Sequence, residues 1–389
     1  MLANDPLFVK DTAMPHPATV FLLGRTPEIA AAELAAVLPQ EELFPLTPQV
    51  LRCPTAVPDA PALLSRLGGT VKIGEVIANK FTPAAVADAI AHQHSGGKAL
   101  FAISWVNGQK NAATLAAGLN VKTLLKQRGI NARLVTSRAP QLPAAAINRH
   151  GAREFTVLSD GSVARIIAAQ DVDDFTRRDV GRPHRDVKSG TLPPKLARMM
   201  VNLAQVPANG TLLDPFCGSG TVLSEAMLSG VASVLGSDVS AKAVGESQAN
   251  LRWLQQQYPE TAAAHWQVFV ADVRQLEKTL GRQKVAAVVT EPFLGPPRRG
   301  RETRAQLQAV IQELTALYTD AFAQFAKVVA DGGRVVFAQP SFTHGGEVLT
   351  LELDAAVTQL GFTRSGGPYP YHRPDQHVLR SISVWEKNM

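Results

Sequence analysis

From residue 210 onward the chain alternates short apolar runs with longer amphipathic stretches. The runs "TLLDPF", "SVLGSD", "WQVFVAD", "VAAVVTEP" and "RVVFAQPSF" predict strands, with helices between them at 220–229, 241–257, 273–280 and 303–330. The strands are continuously apolar rather than alternating, which predicts burial on both faces and a mostly parallel sheet covered by helices. The first half is less regular. "ATVFLLGRTPEIAAAELAAVL" at 18–38 reads as a strand, a glycine turn and a helix starting near Thr26-Pro27. An extended stretch follows at 67–78, and residues 70–168 alternate helix and strand. "QDVDDFTRRDVGRPHRDVKSG" has few apolar positions and reads as a linker, and "TLPPKLARMMVNLAQV" reads as an amphipathic helix. The expected organisation is a small α+β unit over 1–65, a second α/β unit over 66–170, a linker at 171–190 and a sheet domain over 191–389. No internal repeat or low-complexity tract interrupts it.

A chain of 389 residues accommodates two or three such domains. Its two cysteines, Cys53 and Cys217, make neither a disulfide framework nor a zinc pattern. No run of about 18 apolar residues occurs, and the start "MLANDPLFVKDTAMPHP" lacks an apolar signal core. These features predict a soluble, cytoplasmic protein that does not engage a membrane. The net charge is +6, and its placement is more informative than its size. Residues 1–190 hold 21 Lys/Arg against 16 Asp/Glu, whereas 191–389 hold 18 against 17. Residues 89–153 contain nine Lys/Arg and no acid, the composition of a surface that meets a polyanion.

The stretch "LLDPFCGSGTVLSEA" at 212–226 places an acid and a glycine turn between a strand and a helix. A Walker A loop needs Gly-Lys-Ser/Thr, but Gly220 is followed directly by Thr221. A dinucleotide fingerprint fails at its third glycine, because position 223 is Leu. A carboxylate at Asp214 would repel a pyrophosphate on the helix N-terminus. S-adenosylmethionine carries no phosphate and offers an ammonium group that Asp214 would favour. Gly218 and Gly220 allow the backbone to approach such a ligand closely. Asp238 lies 20 residues after Gly218, at the end of the second strand, where a carboxylate can accept ribose hydroxyls. Asp272 ends the third strand and is placed to accept from an adenine amino group. The expected cofactor set is Asp214, Phe216, Gly218, Gly220, Thr221, Asp238, Val239, Asp272 and Val273.

The fourth strand ends in Thr290-Glu291-Pro292-Phe293. An exocyclic amine on a nucleobase is a poor nucleophile because its lone pair is delocalised into the ring. Methylating it requires an acceptor for an N–H, a second acceptor such as a backbone carbonyl, and a face on which the flipped base can stack. Glu291, the Pro292 carbonyl and Phe293 supply these as the expected catalytic residues.

These residues resemble a known family. The C-terminal half resembles the class I S-adenosylmethionine-dependent methyltransferases. The chain from about 18 to 387 resembles the THUMP-domain tRNA guanosine-N2 methyltransferases that act on guanosine-10. The resemblance rests on "FLLGRTPEIAAAEL", "RLGGTVKIGEV", "RRDVGRPHRDVKSGTLPPKLARMMVNLA", "LLDPFCGSGT", "TEPFLGPP" and "YHRPDQHVLRSISVW", in the family's order. It implies an α/β Rossmann-like domain with a mostly parallel seven-stranded sheet, preceded by a ferredoxin-like unit and a THUMP domain that grips tRNA. S-adenosylmethionine is the implied cofactor and tRNA the implied partner. The acid-free segment falls inside the implied THUMP domain, with Arg128, Arg133 and Arg138 as expected phosphate contacts, and Arg182 and Lys195 at the linker–domain junction as expected contacts to tRNA or to the cofactor pocket. No metal is expected. The chain is read as a monomer, with an accessory subunit left open.

The family usually carries Asp-Pro-Pro-Tyr where this chain has Glu291-Pro292-Phe293-Leu294. Glu is one methylene longer than Asp, which moves the acceptor by roughly an ångström, and a displacement of that size can cost about a hundredfold in rate. Two other functions therefore stand beside the leading one: an amino-methyltransferase acting on DNA or another RNA, and a non-catalytic RNA-binding homologue. Cys217 reads as a small loop residue rather than a nucleophile. "PPRRGR" at 296–301 reads either as a basic loop that grips RNA or as a solvated loop.

Overall fold

The computed structural model describes residues 18–106, 112–137, 142–185, 192–298, 300–371 and 378–389. They fall into two compact units that are discontinuous in sequence. The first comprises the chain up to Leu22, Glu41–Ala60 and Lys72–Ala169, and the second Leu23–Gln40, Pro61–Val71 and Gln170–Met389.

The chain begins β1 (Thr19–Leu23), α1 (Pro27–Val37), β2 (Phe44–Thr47), β3 (Val50–Cys53), α2 (Ala60–Arg66) and β4 (Thr70–Ala78). It continues α3 (Pro83–His92), β5 (Ala99–Trp105), α4 (Ala112–Gln127), β6 (Ala132–Leu134), α5 (Ala144–His150), β7 (Arg153–Val157) and β8 (Val163–Ala169). All eight strands form one sheet, in the order β2-β3-β1-β4-β8-β7-β5-β6. The first four have the connectivity and order of a ferredoxin-like βαββαβ motif. Its last strand, β4, lies beyond residue 65 and pairs antiparallel with β8. The α+β unit expected over 1–65 therefore has no edge of its own there, because β4 carries the sheet into the following segment. The first unit's core gathers Val86, Ile90, Phe101, Val121, Leu125 and Phe155. A buried ion pair, Lys72 Nζ to Glu154 Oε2 at 2.6 Å, is completed by bonds to the Leu142 carbonyl (2.6 Å) and from the Ser104 hydroxyl (2.5 Å). Such a pair is tolerated inside a protein because its remaining polar groups are satisfied.

The second unit continues α6 (Val172–Val180), α7 (Pro194–Ala204), β9 (Thr211–Asp214), α8 (Thr221–Leu228), β10 (Ser233–Asp238), α9 (Ala241–Gln257), β11 (His265–Val270) and α10 (Leu276–Leu280). It ends β12 (Val285–Thr290), α11 (Arg304–Val328), β13 (Val329–His344), β14 (Glu347–Leu349), α12 (Asp354–Gln359), β15 (Phe362–Tyr371) and β16 (Val378–Lys387). The strand order is β11-β10-β9-β12-β13-β16-β15, with β14 paired to β13. The first five strands are parallel, and β16 runs antiparallel to both β13 and β15. This is the expected mostly parallel seven-stranded sheet, with β14 as a short addition. Its core contains Leu213, Val288, Phe322, Phe325, Phe337 and Trp385. The long helix α11 starts at a capping box: Thr303 accepts from the Gln306 N–H, and Gln306 accepts from the Thr303 N–H at 2.8 Å.

The segment expected to be a linker contains α6. It has few apolar residues, but its charges suit a helix. Asp171 caps it by accepting from the Asp174 N–H at 3.0 Å. Asp173 and Asp174 lie in the first turn, Arg177 and Arg178 in the last, which complements the helix dipole. Arg178 is then buried against Glu225 of α8, Nε to Oε1 at 2.8 Å. Arg198 of α7 takes the other oxygen of Glu225, Nη2 to Oε2 at 2.7 Å. One carboxylate that is 1% exposed thus joins three helices. Removing it takes the shared carboxylate from two buried guanidinium groups and leaves Arg178 with Asp174 and Arg198 with the Ser65 carbonyl. Glu225→Ala is expected to destabilise the protein by about 3–5 kcal/mol, read as a lower urea midpoint; an unchanged midpoint would show that these helices are held otherwise.

Candidate active site

The site forms at the carboxyl ends of the parallel strands. The strand order reverses between β9 and β12, the position at which open α/β sheets bind ligands. Asp214 ends β9, and Thr290 ends β12. The Thr290 hydroxyl donates to Asp214 Oδ1 at 2.7 Å, and the Phe216 N–H reaches the same oxygen at 3.2 Å. Asp214 is 2% exposed. Burial pushes its carboxyl up to about 7, and the nearby Asp238 and Glu291 add to the shift.

The turn after Asp214 depends on two glycines. Gly218 and Gly220 have φ of +51° and +83°. A Cβ on Gly220 would lie 2.5 Å from the Ser247 hydroxyl, so both conformation and space exclude a side chain there. The Gly218 N–H donates to Asp238 Oδ2 at 3.0 Å, and the Ser240 N–H donates to the other Asp238 oxygen at 2.9 Å. The acid at the end of β10 therefore fixes the turn at the end of β9. Thr221 opens α8 and is buried; Phe216 packs against the core. Val239 is 74% exposed beside Asp238, whereas Val273 is buried. Asp272 accepts from the Arg274 N–H at 2.9 Å. Cys217 is buried, which pushes its thiol upward and suits a loop residue rather than a nucleophile.

Beyond β12, Glu291 is largely buried, and Phe293 is 57% exposed. The Phe293 carbonyl accepts from the Tyr318 hydroxyl at 2.7 Å, which pins this turn to α11. Glu291 forms a two-pronged ion pair with Arg380 of β16: Arg380 Nε donates to Oε1, and Nη2 donates to Oε2 at 3.3 Å. Neither Tyr318 nor Arg380 was expected. Each lies among other polar residues of α11 and β16, so the sequence carries no distinct signal for it.

Asn250 was also missed. It lies on the buried stripe of α9 with Ser247, Leu251 and Leu254. Its side chain donates to the carbonyls of Ser219 (2.8 Å) and His184 (2.9 Å), and accepts from the His184 N–H at 2.9 Å. It thereby clamps the glycine turn to the segment that follows α6.

Two of the residues expected at tRNA or the cofactor pocket lie against the second unit's own groups. Arg182 is 7% exposed and donates to the Thr221 hydroxyl at 2.7 Å, beneath the glycine turn. The Lys195 ammonium donates to Gln170 at 2.5 Å and lies 5.2 Å from the Phe175 ring. Lys195 is thus held by an internal amide, whereas Arg182 Nε and Nη2 are buried without a hydrogen-bond partner among the described residues. Arg133 is exposed, Arg128 pairs with Asp88 at 2.5 Å, and Arg138 lies outside the described residues. Among the described residues, no group of three or more His, Cys, Asp or Glu is placed to hold a metal, and no helix is long and apolar enough to cross a membrane. In the 296–301 loop, Arg298 is 6% exposed and donates to the Thr343 carbonyl at 3.0 Å, so it is not a solvated charge.

Comparison with known proteins agrees with this geometry. Residues 182–351 match the UPF0020 family, described as an RMKL-like methyltransferase domain. A tRNA (guanine(10)-N2)-dimethyltransferase of Methanothermobacter thermautotrophicus is 31% identical over 203 residues, 52% of either chain. The chain thus matches about half the length of that curated relative. The crystal structure of TrmN from Thermus thermophilus aligns with a TM-score of 0.55 at 16% identity, over 96% of this chain and 100% of that one. SMU.472 in its complex with SAH aligns at 0.50 and 10% identity, over 96% and 98%. The fold is that of the class I methyltransferases.

The buried Asp214 has a measurable consequence. The folded state holds its proton more tightly than the unfolded chain does, so its contribution to stability is present at low pH and lost as pH rises towards about 7. Relative to Asp214→Asn, the wild type is expected to lose up to about 1.4 kcal/mol per pH unit between about pH 5 and 7, levelling off above. Unfolding midpoints of the two proteins compared across that range test this, and parallel curves would refute it.

Proposed function

We propose that the protein transfers a methyl group from S-adenosylmethionine to the exocyclic 2-amino group of a guanosine in tRNA, at position 10 as its relatives are named. The observation that carries this reading is the placement of Glu291 and the exposed Phe293 directly beyond the strand end that bonds Asp214. A base acceptor and a charged cofactor pocket thus share one sheet edge.

The residues fit this cofactor. The turn at Gly218 is open, with nothing within 4 Å of where a Cβ would lie, so a ligand can approach its backbone. Asp238 retains lone pairs for ribose hydroxyls after accepting from Gly218 and Ser240. Asp214 and Asp238 provide negative potential for a cationic ligand. Asp272 and the exposed Val239 flank the position expected for the adenine. When bound, the cofactor supplies an electrophilic methyl on a sulfonium. Glu291 accepts an N–H of the target amine and draws off positive charge as the carbon–nitrogen bond forms. The Pro292 carbonyl serves as second acceptor, and Phe293 offers its face to a flipped base. No metal or covalent intermediate is needed.

We assign RNA holding to the N-terminal half, with a ferredoxin-like unit followed by a THUMP domain up to about residue 170. Exposed Lys98, Lys122, Lys126 and Arg133 supply sequence-independent phosphate contacts. This reading places the protein in the cytoplasm with tRNA.

The test is methyl transfer from labelled S-adenosylmethionine to unmodified tRNA transcripts, followed by nucleoside analysis. N2-methylguanosine at a single position is expected. Glu291→Ala should lower transfer by at least about a hundredfold with cofactor affinity retained, and Asp238→Ala should weaken cofactor binding. No transfer to any tRNA, with cofactor binding shown separately, would overturn the proposal.

A further inference from the structure

Glu291 carries one more rotatable bond than the aspartate usual at its position. A free glutamate carboxylate would sample several positions, and ordering it for each turnover costs side-chain conformational entropy. The structure contains a device that removes this freedom. Arg380 projects from β16, which is hydrogen-bonded on both sides, to β13 and β15, with Pro340 and Tyr371 opposite it. Its guanidinium is 7% exposed and engages both Glu291 oxygens. An arginine fork fixes the plane of a carboxylate as well as its distance. Each oxygen keeps a lone pair for a substrate N–H.

The other groups around the pair do not replace Arg380. Asp214 comes from β9 and Tyr318 from α11; one is an acid, and the hydroxyl of the other is committed to the Phe293 carbonyl. Burial works against the Arg380 charge, yet Glu291 beside it, with Tyr371 adding, holds the guanidinium above the usual arginine range. The pair is an internal, desolvated contact rather than a surface one.

We propose that Arg380 is a positioning residue for the methyl-transfer reaction, aiming the Glu291 carboxylate at the target amine and offsetting its extra methylene. This rests on the reading of Glu291 as the amine acceptor. In this proposal Arg380 acts through Glu291, the side chain that its guanidinium engages.

A double-mutant cycle on the full chain tests it, with a tRNA transcript and saturating S-adenosylmethionine. Arg380→Gln should lower kcat about a hundredfold while cofactor Kd stays within about twofold. In a Glu291→Asp background, where the shorter side chain falls short of the fork, the same change should cost less than about threefold. Arg380→Lys, a point charge that cannot hold both oxygens in plane, should fall between Arg380→Gln and wild type. Equal losses in both backgrounds would mean a merely structural role and overturn the proposal, as would a wild-type kcat for Arg380→Gln. If Arg380→Gln fails to fold, Arg380→Lys decides: wild-type kcat overturns the proposal, and a loss confined to the Glu291 background supports it. Separately, Glu291→Gln with unchanged kcat would defeat the acceptor reading itself, so the two failures are distinguishable.

Discussion

The site is organised around a buried acid at the point where the sheet reverses its strand order. Asp214 is almost sealed from solvent, and an uncompensated carboxylate there would be costly. Two donors, the Thr290 hydroxyl and the Phe216 N–H, stabilise it. Because Thr290 ends β12, this bond ties together the strand that leads to the glycine turn and the strand that leads to Glu291. Asp238 and Glu291 add further negative charge nearby. A cluster of this sign is stable only if some of it is protonated, paired or met by a cation. All three solutions are present or implied: Asp214 titrates near neutrality, Glu291 pairs with Arg380, and the proposed cofactor is cationic.

The same economy governs the glycine turn. Its backbone is held at the Gly218 N–H by Asp238 and at the Ser219 carbonyl by Asn250, and Arg182 bonds the Thr221 hydroxyl that follows. The segment after α6 is therefore not a passive connection. It reaches the turn through His184 and Asn250, while α6 itself is anchored through Arg178 to Glu225 on the helix that the turn begins. The segment and the turn are thus joined by hydrogen bonds through one side chain, Asn250.

Much of this was legible in the chain. The parallel sheet followed from continuous apolar runs, and Asp214, Asp238, Asp272 and Glu291 were visible because each interrupts such a run at its end. The glycine turn was visible because its spacing excludes phosphate-binding alternatives. What escaped the sequence depends on contacts between distant segments. Helix α6 looked like a linker because an apolar count ignores a buried arginine whose carboxylate partner lies 47 residues away. Arg182 and Lys195 looked like surface charges for the same reason. Arg380, Asn250 and Tyr318 sit at inward positions of β16, α9 and α11, where periodicity predicts burial but not the partner. The unit division was hidden because α1 and most of α2 are local elements in sequence with β1 to β4, yet group with the second unit.

On the proposed function, Glu291-Pro292-Phe293-Leu294 in place of the Asp-Pro-Pro-Tyr of the resembled family is a substitution of support rather than a loss of site. A shorter acid held by its own turn would need no distant partner. A longer one needs a restraint from outside the turn, and Arg380 supplies it from a strand fixed on both edges. The turn at Phe293 shows the same logic: its carbonyl is anchored by the Tyr318 hydroxyl while its ring is exposed. In both cases a rigid element of the sheet domain bears the cost of ordering a group that the turn alone would leave loose. Tolerance at this motif therefore depends on β16 and α11 as much as on the four residues themselves.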